Sequence, residues 1–515
     1  MDEFKKEHNI YPMNKLHYKA CITILLLAIT FLASAQYNTL NPKYEMRGVW
    51  VATVANIDWP SQAGLSEKEQ KQEALSIITH AKKLGLNTIF LQVRPASDVL
   101  YHSKLEPWSS VLTGHAGQSP KYDPLEYWIQ EAHNQGLELH AWINPYRASM
   151  NLEDELPQKH PFHTTPKMFV EYGNKLYYNP AEPASKAHIN KVVKELVSNY
   201  AIDGIHMDDY FYPYPIKDKV FPDSISFERY GKATYTDINT WRRENVNQAI
   251  LAIQKTIKDV KPWVQFGISP FGVWRNKKDD PRGSDSNAGT TNYDGLHADI
   301  LLWMENKWID YVAPQLYWGT SHPIANYTKL ANWWNDNHYE IPVYIGHGIY
   351  KIGNDKPDWQ DSNQLPFQLN SVRHYQNLNG SIFFSYKHFN RELQGLQDSL
   401  QTNFYKSKAI TPHIESNKTR NTITIKKIKA GGRKIKWKVN KVHKNTPTKY
   451  IIYMYKGLDA FNPDDPKYIR DICYQTNYKL PKKSTSLTEN YIIRVAALNA
   501  YNTEGALSKP VQVSY

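Results

Sequence analysis

The chain has 515 residues, 41% hydrophobic and 22% charged, which is ordinary for a soluble protein and too long for one compact domain. Its formal net charge of +12 is uneven: residues 406–515 hold 22 basic and 7 acidic side chains, whereas residues 1–405 hold 40 and 43. The basicity therefore belongs to a C-terminal module. With 15 Trp and 36 Tyr, aromatics are abundant; such rings suit stacking on sugars or bases, and a large aromatic core also accounts for some of them.

In chain order, the first predicted element is a signal peptide over residues 1–35, with Met13 as an alternative start. Lys15 and Lys19 make a basic beginning, Ile22–Ala33 is an uncharged apolar run, and Ala33-Ser34-Ala35 fits a small-residue cleavage site. The run is short for a bilayer span, so no stable transmembrane segment is expected after its removal. Cys21 precedes most of the apolar run, which is the wrong place for lipidation. The mature chain keeps only Cys473 and forms no internal disulfide. The expected location is outside the cytoplasm, in the periplasm or on the outer surface of a bacterium. Nucleic acid is then an unexpected partner, and the basic module points to an anionic envelope surface, or simply to a solvated lysine-rich face.

From residue 45 to 403, strand-like and helix-like segments alternate, which predicts a parallel α/β fold. Eight strands are expected at 48–53, 88–93, 137–144, 204–208, 265–269, 311–317, 342–346 and 381–386, the number of a (β/α)8 TIM barrel. Ser66 and Glu69 form a capping box, Asp123-Pro124 opens another helix, and Gly85 and Gly136 close the two. Long connections follow the strands, at 145–180, 210–233 and 271–294, while the other end has short links. That asymmetry marks the functional face of a barrel. Over 410–515 the pattern changes to short strands at 422–429, 434–439, 450–456, 477–480, 491–498 and 510–514, a β-sandwich. Residues 491–499 followed by Gly505 resemble the late strands of a fibronectin type III domain, with Tyr491 as a tyrosine-corner candidate.

Strand alternation selects the site. In Gly204-Ile205-His206-Met207-Asp208, apolar Ile205 and Met207 share one face, so His206 and Asp208 share the inward one. The same test turns His140, Trp142 and Asn144 inward, with Tyr146 and Arg147 at the rim. It likewise turns in Phe90, Gln92 and Arg94, with Asp98 beyond, and Gln315 and Tyr317, with Trp318 next. The convergent set holds carboxylates (Asp208, Asp209, Asp98), amides (Asn144, Gln315), cations (Arg94, Arg147) and rings (Tyr146, Tyr210, Tyr317, Trp318). Amides and charges suit sugar hydroxyls, and aromatic faces suit the C–H side of a sugar ring. Glycoside hydrolysis needs two carboxyl groups about the scissile bond. Asp208 is the better nucleophile or charge stabiliser. Asp209 enters the site only if the chain turns there, and Asp98 is the rival acid. No His/Cys/Asp cluster has metal-ligand spacing, and nucleotide and GxSxG motifs are absent, so no metal or cofactor is expected.

Six segments carry a family resemblance: Glu45–Thr53, Gln92–Asp98, Ala141–Arg147, Gly204–Tyr210, Ile268–Arg275 and Pro314–Trp318. In this order they resemble glycosyl-hydrolase-like family 10. The resemblance implies an exported bacterial TIM-barrel glycosidase acting on peptide-free peptidoglycan strands, often trailed by a fibronectin-like module. It implies Asp208 as nucleophile by analogy with barrels that keep one at the end of strand four, while Ser269-Pro270-Phe271 offers no Glu acid at strand five. A glycan partner is expected. The alternatives are a non-catalytic glycan-binding protein and a glycosidase for dietary or host polysaccharides.

Overall fold

The computed structural model describes residues 41–413, 423–440, 448–482 and 489–515. The expected signal peptide, and residue 422 at the start of one expected strand, lie outside them. Ten strands precede the C-terminal module: β1 (Met46–Val51), β2 (Thr88–Arg94), β3 (Glu138–Ile143), β4 (Phe169–Tyr172), β5 (Lys175–Tyr178), β6 (Gly204–Met207), β7 (Gln265–Ile268), β8 (Tyr311–Val312), β9 (Val343–His347) and β10 (Leu378–Phe383). Eight of them close a parallel barrel in the order β1-β2-β3-β6-β7-β8-β9-β10. All eight expected strands are present, as a TIM barrel requires.

The alternation is physical. Val49, Val51, Ile89, Leu91, Leu139, Ala141, Ile205 and Met207 point outward and join the core beneath the surrounding helices. Trp50, Phe90, Trp142, Tyr311, Tyr344 and Ile382 fill the barrel interior. Gly267 leaves room for the Tyr311 ring, which any Cβ there would strike. The helices start where their caps predict. Ser66 Oγ accepts the Glu69 N–H at 3.3 Å while Glu69 accepts the Ser66 N–H at 2.8 Å, and Asp123 caps Glu126 at 3.0 Å.

One expectation from alternation is corrected. The β2–β3 ladder slips at a bulge between Gln92 and Arg94, which sets Arg94 opposite outward-facing Ile143. The long connection after β3 also contains the β4–β5 hairpin, paired through a turn at Gly173 with φ +64°.

After the barrel come β11 (Ile425–Gly431), β12 (Lys434–Val439), β13 (Lys449–Lys456), β14 (Ile469–Cys473), β15 (Asn477–Lys479), β16 (Asn490–Leu498) and β17 (Val511–Ser514). They form two antiparallel sheets, β11-β12-β15 and β14-β13-β16-β17, which share a core of Ile435, Trp437, Tyr450, Ile452, Ile493 and Val495. Lys434, Lys436 and Lys438 are exposed, as alternation along β12 requires. Strand β14 had no counterpart in the sequence reading. Tyr491 donates to Glu489 at 2.5 Å, and the backbone at 483–488, where a tyrosine corner would find its acceptor, lies outside the described residues.

The sandwich docks on the barrel end where the strands begin. Glu138, the first residue of β3, pairs with Lys449 in a buried contact and accepts from Thr411 at 2.6 Å and Asn502 at 3.1 Å. Lys82 pairs with Asp471 at 2.6 Å, and Tyr474 stacks on His133 at 4.1 Å while donating to Asp203 at 3.2 Å. Gly136, at φ +76°, admits the carbonyl of Ile472, with which any Cβ would collide. Among the described residues no helix is long and apolar enough to cross a membrane.

Candidate active site

At the opposite end, where the barrel strands finish, a cavity of about 260 Å³ is lined by Trp50, Trp142, Asp208, Asp209, Tyr210 and Tyr317, with Gln92, Arg147, His206, Tyr214, Gln315 and Phe384 among the rest. β6 ends at Met207 and the chain bends at Asp209, so both consecutive aspartates reach the cavity although a continued strand would have turned one away.

Their surroundings differ. Asp208 Oδ2 accepts the Trp142 indole N–H at 3.1 Å and the Asn144 amide at 3.1 Å, and Oδ1 accepts the Tyr210 N–H at 3.4 Å. Burial pushes its pKa up, opposed by the Arg147 charge and by these donors. Asp209 accepts a hydrogen bond from the Tyr214 hydroxyl. Burial, then the Asp208 charge beside it, pushes Asp209 up to about 7. The donors around Asp208 oppose the rise of its own pKa, while the Asp208 charge adds to the rise at Asp209. Two buried carboxyl groups with unlike surroundings therefore share a pocket.

His206 lies in the floor, fully buried, and is held well below its usual pKa, first by burial and then by His140. Its Nε2 accepts the Trp50 indole N–H at 3.0 Å, which assigns the proton to Nδ1 and directs it to the Tyr311 oxygen, 3.0 Å away. Tyr311 in turn reaches His140 Nδ1 at 2.9 Å. Both nitrogens of His206 are thus engaged in holding the floor.

The other expected residues sort by position. Arg147 stacks on Tyr210 at 4.6 Å and lines the cavity, as do Tyr210, Gln315 and Tyr317. Asn144 supports Asp208 from behind, and its Oδ1 accepts the Arg147 N–H at 2.9 Å. Asp98 lines a separate, wider cleft of about 920 Å³, together with Trp108, His115, Asp154 and Lys175; Val54 borders both spaces. Three residues stand apart from both. Arg94 is fully buried, forks onto Glu106 at 2.6 Å through each of two nitrogens, and donates to the Asn144 carbonyl; the bulge in β2 is the cause. Tyr146 packs in the outer core. Trp318 lies edge-on against Phe271 at 5.3 Å. The sequence reading missed Trp50, Tyr214 and Phe384. Trp50 follows from alternation between outward Val49 and Val51, whereas Tyr214 and Phe384 sit on loops where periodicity gives no signal. Among the described residues no group of three His, Cys, Asp or Glu side chains is arranged to hold a metal ion.

Residues 45–361 match the family described as glycosyl hydrolase-like 10. The chain is 45% identical over 398 residues to glycosyl hydrolase YngK of Bacillus subtilis, covering 76% of this chain and 77% of that one. It is 37% identical over 376 residues to glycosyl hydrolase DigH of Escherichia coli K12, covering 67% and 84%. The solved glycoside hydrolase domain of PgaB from Bordetella bronchiseptica matches with a TM-score of 0.44 at 12% identity, over 69% of this chain and 99% of that one.

Proposed function

The chain belongs to the glycosyl hydrolase-like 10 family and is a glycoside hydrolase; on that premise we propose that it cleaves the glycan strands of the bacterial cell wall, with Asp209 as general acid and Asp208 as the charge stabiliser. The observation that carries the assignment is the unequal pair: a raised Asp209 beside a thrice-bonded Asp208 in one cavity. Asp209 gives its proton to the departing glycosidic oxygen, and the Asp208 charge opposes the positive charge that grows at the anomeric carbon. Trp142, Tyr210 and Tyr317 offer ring faces to the sugar, and Arg147 and Gln315 offer donors to its oxygens. The wider cleft beside the pocket supports a polymeric substrate with units on either side of the cut.

Export to the bacterial envelope is part of this proposal, supported by the signal-like start of the sequence. So is contact with anionic wall polymers, supported by the +15 balance of residues 406–515 and by the exposed Lys434, Lys436 and Lys438. Replacing those three lysines by glutamine should weaken pelleting with purified walls at low salt, and added salt should erase the difference. The test of the function is product analysis after incubation with peptide-free wall strands, beside plant and host polysaccharides. Release of short wall oligosaccharides supports the proposal; cleavage of the other polysaccharides alone reassigns the substrate.

A further inference from the structure

The cavity lacks half of the usual glycosidase equipment. Hydrolysis by two enzyme carboxyl groups sets them across the anomeric centre, about 5–5.5 Å apart for a direct nucleophile and about 6.5–9.5 Å apart for a water between them. Here Asp208 and Asp209 are consecutive at one strand end, and no other carboxylate lines the cavity among the described residues. Part of the remaining wall is apolar, with Trp50, Ala52, Val54, Ile57 and Phe384, beside the polar Gln92, Arg147, His206, Ser269 and Gln315. The oxygens of Asp208 are also held, by Trp142, Asn144 and the Tyr210 N–H. A carboxylate so anchored is a fixed acceptor, placed next to an apolar surface. That pairing matches a secondary amide: its N–H meets the carboxylate, and its methyl group meets the rings. Tyr317 lines the same space.

Resting on the glycosidase reading above, we infer that the substrate supplies the missing nucleophile: the enzyme acts on β-glycosides of 2-acetamido sugars, with Asp208 holding the acetamido N–H. In the first step the acetamido carbonyl oxygen forms a bond to the anomeric carbon as the glycosidic C–O bond breaks. The Asp209 proton passes to the leaving oxygen. The cyclic oxazolinium so formed carries its positive charge beside the Asp208 carboxylate. In the second step Asp209, now ionised, takes a proton from water. The water oxygen bonds to the anomeric carbon from the face the leaving group vacated, and the C–O bond to the acetamido oxygen breaks. The sugar leaves with its acetamide restored and its anomeric configuration retained. Water is the only co-reactant, as in any glycoside hydrolysis.

The full-length enzyme is assayed on 4-nitrophenyl chitobioside, on the same glycoside with mono-, di- and trifluoroacetyl groups on the 2-amino nitrogen of the sugar that bears the nitrophenyl group, and on 4-nitrophenyl cellobioside. Fluorine withdraws electrons from the carbonyl oxygen without altering the leaving group. kcat/KM should fall at each fluorine, by roughly 100-fold or more over the series, as a nucleophile losing basicity requires. The first product seen by proton NMR should be the β anomer, and the cellobioside should resist. A flat fluorine series, a first-formed α anomer, or equal cleavage of the cellobioside would overturn the inference and leave the glycosidase reading intact. Failure to cleave any of these or peptide-free wall strands would remove both the inference and the wall-glycan reading.

Discussion

Trp142 donates its indole N–H to Asp208 at 3.1 Å, so a ring from β3 fixes a carboxylate at the end of the adjacent strand β6. Asn144, two residues further along the chain from Trp142, donates to the same oxygen. Because these donors are themselves buried, Asp208 keeps its place whether or not a sugar is bound. Asp208→Asn should therefore leave glycan binding within about threefold while lowering kcat by about 10³-fold or more, since an amide keeps the shape and loses the charge. Calorimetric binding to glycan strands alongside turnover would check this, and a loss of only a few-fold in rate removes Asp208 from the chemistry.

In the proposed mechanism Asp209 is the group whose ionisation ends activity at high pH. Asp209 must hold its proton to act, and its pKa stands at about 7; kcat/KM should fall as pH rises through that value. The Tyr214 hydroxyl bonds to the ionised form and lowers the Asp209 pKa. Tyr214→Phe should therefore move the basic limb to higher pH while changing the rate at pH 6 by less than about twofold. A pH–rate profile that stays in place would separate Tyr214 from the acid.

Holding Asp209 in this pocket costs stability at high pH. Its folded pKa of about 7 exceeds the ordinary 3.8, so between these values the folded state binds more protons than the unfolded one. Stability contributed by the protonated group is complete below pH 3.8 and is lost as pH rises through 7. Asp209→Asn should then be on the order of 3–4 kcal/mol more stable than the parent at pH 8, and nearly equal to it at pH 4. Urea melts at the two pH values give the comparison, and the same difference at both would contradict the linkage.

Much of this was legible in the chain because period-2 alternation and helix caps are local. Ile205 and Met207 point out, and His206 and Asp208 point in, as their order predicts. Alternation failed at Arg94, since a bulge adds a residue without any mark in the apolar pattern. Gly173-Asn174 between alternating aromatics is a hairpin signal, and it was masked by the length of the connection around it. Tyr214 and Phe384 reach the cavity through loop geometry, which depends on contacts far apart in sequence. The docking of the sandwich rests on Lys449 meeting Glu138 across 311 positions, and nothing local announces such a pair.

That pair also carries the last prediction. Glu138 is fully buried and held well below the carboxylate range, against its own burial, by Lys449 and by His140, whose Nε2 lies 3.7 Å away. His140 bonds to Tyr311, and Tyr311 bonds to His206 under the cavity. The sandwich thus supplies the cation for the base of a polar column whose top is the active-site floor. Lys449→Met removes the cation and leaves a buried carboxylate, which should cost about 3–5 kcal/mol. Adding Glu138→Gln removes the stranded charge and should restore most of that loss. Chemical denaturation of the two variants and the parent measures both effects. Deleting residues after Tyr405 should likewise destabilise the barrel, so that cleavage of short soluble glycans falls along with wall binding. A truncated barrel as stable and as active as the full chain would show that the sandwich gives the barrel no support and acts in attachment alone.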